Sequence, residues 1–270
     1  MNELESKIKT WLEEQGYPLE MRVACAFRRA GFRVVQSDYY KDPTSGTQRE
    51  IDVVAHTDRH FEGLLVRVEF VIECKSSKSK PWLMFCASDQ RLADPARVAQ
   101  RPASQIASHG LHKLAQREDI QRLDLFSVTH PPAYGLTQAF TSGADVAYSA
   151  LTTVSAAAAA AVIEANQYSV PKRPVAQIVF PAVAVEGKLF SCVLQDDASI
   201  AVAEVQHGTL LWRNQAAGEP HTIVTLVVVS ELSGFANRAF SAASQFLSLC
   251  DKEMLESLRL WNNRQKALKE

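Results

Sequence analysis

Residues 66–75, VRVEFVIECK, constrain the fold more than any other stretch of the chain. In an extended segment successive side chains point to opposite sides. Val66, Val68, Phe70, Ile72 and Cys74 then form one apolar face, and Arg67, Glu69, Val71, Glu73 and Lys75 form the other. The first face must pack in a core. The second turns polar toward its C-terminal end, where Glu73 and Lys75 share a side. Such a pair is either a solvated ion pair or half of an active site, and its surroundings decide.

Those surroundings set the fold class. Residues 2–15 read as a helix ending at Gly16, and PLEMRVACAFRRAG as a second, with Pro18 in its first turn and Gly31 at its C-terminal cap. Leu19, Val23, Ala26, Phe27 and Ala30 recur at helical spacing as a buried stripe. Glu20 falls on the edge of that stripe, an awkward place for a carboxylate. FRVVQSDYY and IDVVAH read as strands separated by the turn KDPTSGTQRE, and the polar TDRHFEG leads to the strand at 66–75.

Residues 81–170 change character. Apolar strands are not expected there, and the segments ASQIASHGLHKLAQ and ADVAYSALTTVSAAAAAAVIEAN read as helices. From 171 strands return as PVAQIVFPAVAVEG, LFSCVL, IAVAEVQHGTLLW and HTIVTLVVVS, the last reading as a strand covered on both faces. Two helices close the chain. The expectation is one domain over residues 1–270, of α/β class, with a central mixed sheet flanked by helices and a mainly helical insertion at 81–170.

A net charge of −1 excludes a global field for polyanions, so any nucleic-acid site must be a local patch. Five scattered cysteines make no C-x-x-C and no zinc-like group, which suggests reduced thiols. The charged, helical start MNELESKIKTWLEEQG is no secretory signal, and SAAAAAAVIEA reads as too short and too weakly apolar to span a bilayer. A cytoplasmic protein without membrane association is expected. No Gly-rich phosphate loop and no G-x-S-x-G elbow occurs. His109 and His112 lack a third ligand and read as helix-surface residues.

Glu-x-Lys occurs three times, at Glu5-Ser6-Lys7, Glu73-Cys74-Lys75 and Glu186-Gly187-Lys188. The first lies in a helix start, where such residues do not face each other. The third lies on a turn between two apolar strands. Only the second sits inside a strand. Asp52, in REIDVVA, stands on the preceding strand, and a long hairpin would place it beside Glu73. Two converging carboxylates repel unless a cation sits between them. Mg²⁺ is the natural choice, because it is hard, prefers oxygen and keeps several waters.

PLEMRVACAFRRAGFRVVQSDYY, QREIDVVA and VEFVIECKSS together resemble the core of the PD-(D/E)XK, or restriction-endonuclease-like, nuclease superfamily. Its pattern is a helix bearing Glu, a strand, a strand bearing Asp, a strand bearing Glu-x-Lys, then a helix. Glu20, Asp52, Glu73 and Lys75 match it in order, over about residues 18–80. Ile51 replaces the proline of the motif's name. The resemblance implies that Asp52 and Glu73 ligate Mg²⁺, for which Mn²⁺ would substitute, with the carbonyl of Cys74 as a third oxygen. Lys75 would orient or deprotonate the attacking water, and Glu20 would hold a second ion or its water. The implied activity is phosphodiester hydrolysis, DNA favoured over RNA, in anti-phage defence, restriction or repair, with a homodimer as one arrangement. Lys78, Lys80 and Arg49 are the candidate nucleic-acid contacts. The alternative is an inactive module of the same fold that binds nucleic acid or a protein partner.

Overall fold

The structure is a computed structural model that describes residues 2–77, 79–87, 96–141, 145–213 and 222–267. In chain order the elements are α1 (Glu3–Gln15), α2 (Tyr17–Ala30), β1 (Arg33–Lys41), β2 (Gln48–Phe61), β3 (Leu64–Ser76), β4 (Trp82–Cys86), α3 (Ala96–Ala99), α4 (Gln105–Leu114) and α5 (Glu118–Gln121). There follow β5 (Ala133–Gln138), α6 (Val146–Tyr168), β6 (Val175–Glu186), β7 (Leu189–Leu194), β8 (Ile200–Val205), β9 (His207–Trp212), β10 (Thr222–Val228), α7 (Leu232–Leu249) and α8 (Asp251–Ala267).

Among the described residues ten strands join one mixed sheet in the order β1-β2-β3-β6-β10-β9-β5-β4-β7-β8. β1, β2 and β3 are antiparallel neighbours, whereas β6 runs parallel to β3 and β10 parallel to β6. Helices cover both faces, so the coarse expectation of an α/β protein with a central mixed sheet holds. On one face α2, α4, α7 and α8 pack over Val66, Val68, Phe70 and Ile72 of β3, the side the alternation assigned to a core. Phe70 lies 5.7 Å from Phe27 and 5.2 Å from Phe180, ring centre to ring centre, at the middle of this layer. On the other face α6 covers Val71, Val179, Val183 and Val224. Central strands buried on both sides need apolar residues almost throughout, which is why β10 reads as a continuous apolar run.

Three expectations change. The region 81–170 contains two strands, β4 and β5, which pair with each other, and β4 also runs parallel to β7. WLMFC is too short for periodicity to separate a strand from a buried helical turn, and AYGLTQ carries Gly135 against Phe85. The polar 57–61 is the second half of β2, because Asp58 and Arg59 satisfy their charges on Arg67 and on Asp251 of α8. IAVAEVQHGTLLW divides at Gln206 into β8, at the sheet edge, and β9, beside β10.

The alanine-rich helix also differs from its reading. α6 has 23 residues, and an 18-residue stretch of it has a mean hydropathy of 1.7, long and apolar enough by composition to cross a membrane. It instead buries Ala150, Leu151, Val154, Ala157 and Ala158 in the second core. Small side chains let its axis lie close to the sheet. All five cysteines are free thiols.

Candidate active site

The site forms where the β2–β3 ladder ends. These strands pair antiparallel, Val53 opposite Ile72, so the next position in register sets Asp52 opposite Glu73. Pairing stops there, and Asp52 Oδ2 instead accepts the backbone N–H of Cys74 at 2.6 Å. The ladder to β1 is interrupted at the same position, between Gln36–Val53 and Asp38–Ile51, where Ser37 adopts φ 52°. Alternation slips with it. Ile51 joins the core under α6 while Val53 and Ala55 face the opposite core, although regular pleating would put all three on one side. A residue in an antiparallel ladder presents its N–H and C=O toward the same neighbour. The Cys74 carbonyl therefore points toward the β2 side, beyond the last paired residues.

Lys75 Nζ lies 2.6 Å from Glu73 Oε1, with the side chains 25% and 7% exposed. The pair is buried, not solvated, so its charges are interdependent: removing either strands the other in a poorly hydrated place. Glu20 enters from α2, half-buried, and has no hydrogen-bond or ion-pair partner among the described residues. Its position follows from α2 itself. Leu19 and Val23 anchor the helix against the sheet, and Glu20 stands beside that anchor at the strand ends.

Electrostatics tie the four groups together. Burial, then the Asp52 carboxylate, pushes Glu73 up to about 7, against the pull of Lys75. Burial, then Asp52 and Glu50, raises Glu20 to about 7 as well. Asp52 is also raised by burial, although the Cys74 N–H and Lys75 oppose it. Burial pulls Lys75 down, but Glu73 and Asp52 outweigh it and hold the ammonium above its ordinary range. Lys75 therefore keeps its proton at neutral pH. It can orient a water or stabilise negative charge, and it is a poor base.

Among the described residues three carboxylates thus face one ammonium, which leaves that set short of positive charge. Among the described residues no three His, Cys, Asp or Glu side chains converge to hold a metal by themselves. The donor set that fits Mg²⁺ is Asp52, Glu73 and the Cys74 carbonyl, all oxygen, with water completing the shell. Lys75 now occupies one oxygen of Glu73 and would have to yield it, or share it, to a bound ion.

Of the candidate nucleic-acid contacts, Lys80 lies half-buried in the turn between β3 and β4, where its carbonyl accepts from Ser77 Oγ at 3.1 Å. Arg49 is exposed on β2, its guanidinium bound to Asp42 at 2.9 Å. Lys78 lies outside the described residues. The other two Glu-x-Lys tripeptides fall where expected. Glu5 completes a capping box with Asn2 at the start of α1, and Gly187, at φ 116°, makes the β6–β7 turn. That turn supports the site: Ser77 N–H donates to the Glu186 carbonyl at 3.0 Å, and Ser76 Oγ and Arg22 of α2 bind the Glu186 carboxylate. A Cβ on residue 187 would run into the Ser77 carbonyl oxygen.

Tyr40 is the residue that sequence reading missed. Its hydroxyl donates to the Thr153 carbonyl of α6 at 3.2 Å, and burial pushes it up to about 12. Glu73 is among the charges that act on it. An aromatic near the end of an exposed edge strand carries no local signal for this.

No protein-family model, no curated protein and no solved structure matches the chain.

Proposed function

We propose that the protein is a Mg²⁺-dependent nuclease with a restriction-endonuclease-like core, acting on DNA in preference to RNA. The observation that carries this reading is the charge deficit at the end of β3, where among the described residues Glu20, Asp52 and Glu73 face a single ammonium, that of Lys75. A protein gains nothing in stability from burying such a set, since neutral residues of similar size would avoid the desolvation cost. Element order supports the reading as far as β3, after which β4 follows in place of the pattern's helix. α2 bears Glu20, β2 bears Asp52, β3 bears Glu73 and Lys75, and β6 lies parallel to β3.

When bound, Mg²⁺ would supply Lewis acidity at the scissile phosphate. Asp52, Glu73 and the Cys74 carbonyl would hold it. Asp52 is fixed for that task by the Cys74 N–H. Lys75, protonated, would orient the attacking water and stabilise the charge that builds on the phosphoryl oxygens. Glu20, raised to about 7, would accept a proton from that water or hold a second ion.

One observation favours the alternative of an inactive module of the same fold: Lys75 Nζ sits on Glu73 Oε1, neutralising an oxygen the metal needs. A panel of single- and double-stranded DNA and RNA, assayed with Mg²⁺ and then EDTA, separates the two. The nuclease reading expects EDTA-sensitive cleavage that Asp52→Ala, Glu73→Ala and Lys75→Ala each abolish with folding intact. Cleavage unaffected by Lys75→Ala would overturn the mechanism, and intact substrates throughout would favour the inactive module.

A further inference from the structure

A second, separate feature lies under α6. A cavity of about 400 Å³ opens between this helix and strands β1, β2, β3 and β6. Its volume is that of a small-molecule site. Ala157, Ala161 and Ala165, spaced one helical turn apart, make its helical wall, and their short side chains create the space.

Glu69 reaches into this cavity from β3, on the strand face that also carries Glu73. The residue is 6% exposed. Gln177 Nε2 donates to its Oε1 at 2.9 Å, and Oε2 has no partner among the described residues. Asp38 and Glu164 line the same space. The guanidinium of Arg67 is engaged by Asp58, through bonds of 2.8 and 3.2 Å. Burial, then Arg67, keeps His56 low and therefore neutral at neutral pH. Among its described lining residues the cavity thus offers acceptors and three carboxylates, with Arg67 the one permanent cation and already paired with Asp58.

The kind of cation follows from the spread of the carboxylates. No three metal-ligating side chains gather there among the described residues, and Asp38, Glu69 and Glu164 come from three separate elements, which suits a cation whose charges are spaced apart. Tyr39, Tyr40 and Tyr168 line it together with aliphatic residues, a wall suited to methylenes and to cations that lie against aromatic rings.

We propose that this cavity binds a small aliphatic di- or polyamine, with one ammonium on Glu69 Oε2, a second toward Asp38 or Glu164, and the methylenes along the alanine wall. The site does not depend on the metal reading of Asp52 and Glu73. Calorimetric titration of the full chain with spermidine and with putrescine tests it, with 1,4-butanediol as the uncharged control. Saturable binding of an amine but not of the diol is expected. Glu69→Gln should weaken it by about tenfold or more, the loss of one charge-assisted hydrogen bond. Ala161→Leu, which fills the cavity while leaving every carboxylate in place, should abolish it. Absence of amine binding, equal binding of the diol, or undiminished affinity in Ala161→Leu would each overturn the proposal. Should Glu69→Gln fail to fold, Glu164→Gln on the half-open rim gives the charge test, with weakening expected and unchanged affinity contrary.

Discussion

Glu69 and Glu73 stand four residues apart on one face of β3, both buried, and burial pushes each up to about 7. Their partners differ. Glu69 accepts from the neutral amide of Gln177, whereas Glu73 meets the ammonium of Lys75 and faces the carboxylate of Asp52. After burial, the largest influence on Glu69 is the cation Arg67, which lowers it, and on Glu73 the anion Asp52, which raises it. Burial alone therefore does not mark a reaction centre. What distinguishes the end of β3 is a second carboxylate in register and an interrupted ladder that frees main-chain groups beside it.

The largest effect that would break this contrast is on catalysis. Glu73→Gln should lower Mg²⁺-dependent cleavage by about 10³-fold, since it removes a ligand and the partner of Lys75. Cleavage rates under single-turnover conditions check this. Stability comes next. Both glutamates rise from 4.5 to about 7 on folding, so the folded state holds their protons more tightly. That contribution is fully present below pH 4.5 and is lost as pH climbs through 7. Glu69→Gln, which spares the protein a buried anion, should stabilise it by up to about 3 kcal/mol at pH 8 and hardly at all near pH 4. Urea unfolding at the two pH values measures the difference.

The rise of Glu73 to about 7 already includes the pull of Lys75, but Glu73→Gln also leaves the Lys75 ammonium with Asp52 alone, so its gain at pH 8 should be smaller than that of Glu69→Gln. An equal gain at the two sites would mean that Asp52 alone satisfies Lys75. The smallest effect is expected at Arg49. Asp42 accepts backbone N–H groups of Thr44 and Ser45 at 2.8 and 3.0 Å, so Arg49→Ala leaves it satisfied and should cost under about 1 kcal/mol. A larger loss in thermal unfolding would assign Arg49 a structural role.

How much of this was legible in the sequence varies by element. The apolar face of β3, the Glu20-bearing helix and the meeting of Asp52 with Glu73 followed from pattern alone, because each depends on local period and on hairpin register. The ladder break at Asp52 did not, since it coincides with the positive φ of Ser37 on β1, a neighbour that no local signal pairs with it. β4 and β5 were missed because five or six residues hold too little periodicity. Glu69 was visible on the face of Glu73, but its amide partner comes from β6, more than a hundred residues away, through a parallel pairing. Long-range parallel contacts leave no trace in a single segment. The same reason hid Tyr40, whose hydroxyl reaches α6.

The central claim is that Asp52 and Glu73 share one divalent ion. Calorimetric titration of Mg²⁺ into the full chain at pH 8, where Glu20 and Glu73 are ionised, tests it most directly. Saturable binding is predicted, lost in Asp52→Asn with the unfolding transition unchanged. An Asp52→Asn protein that binds Mg²⁺ as tightly as the native chain, or a native chain that binds none, would contradict it.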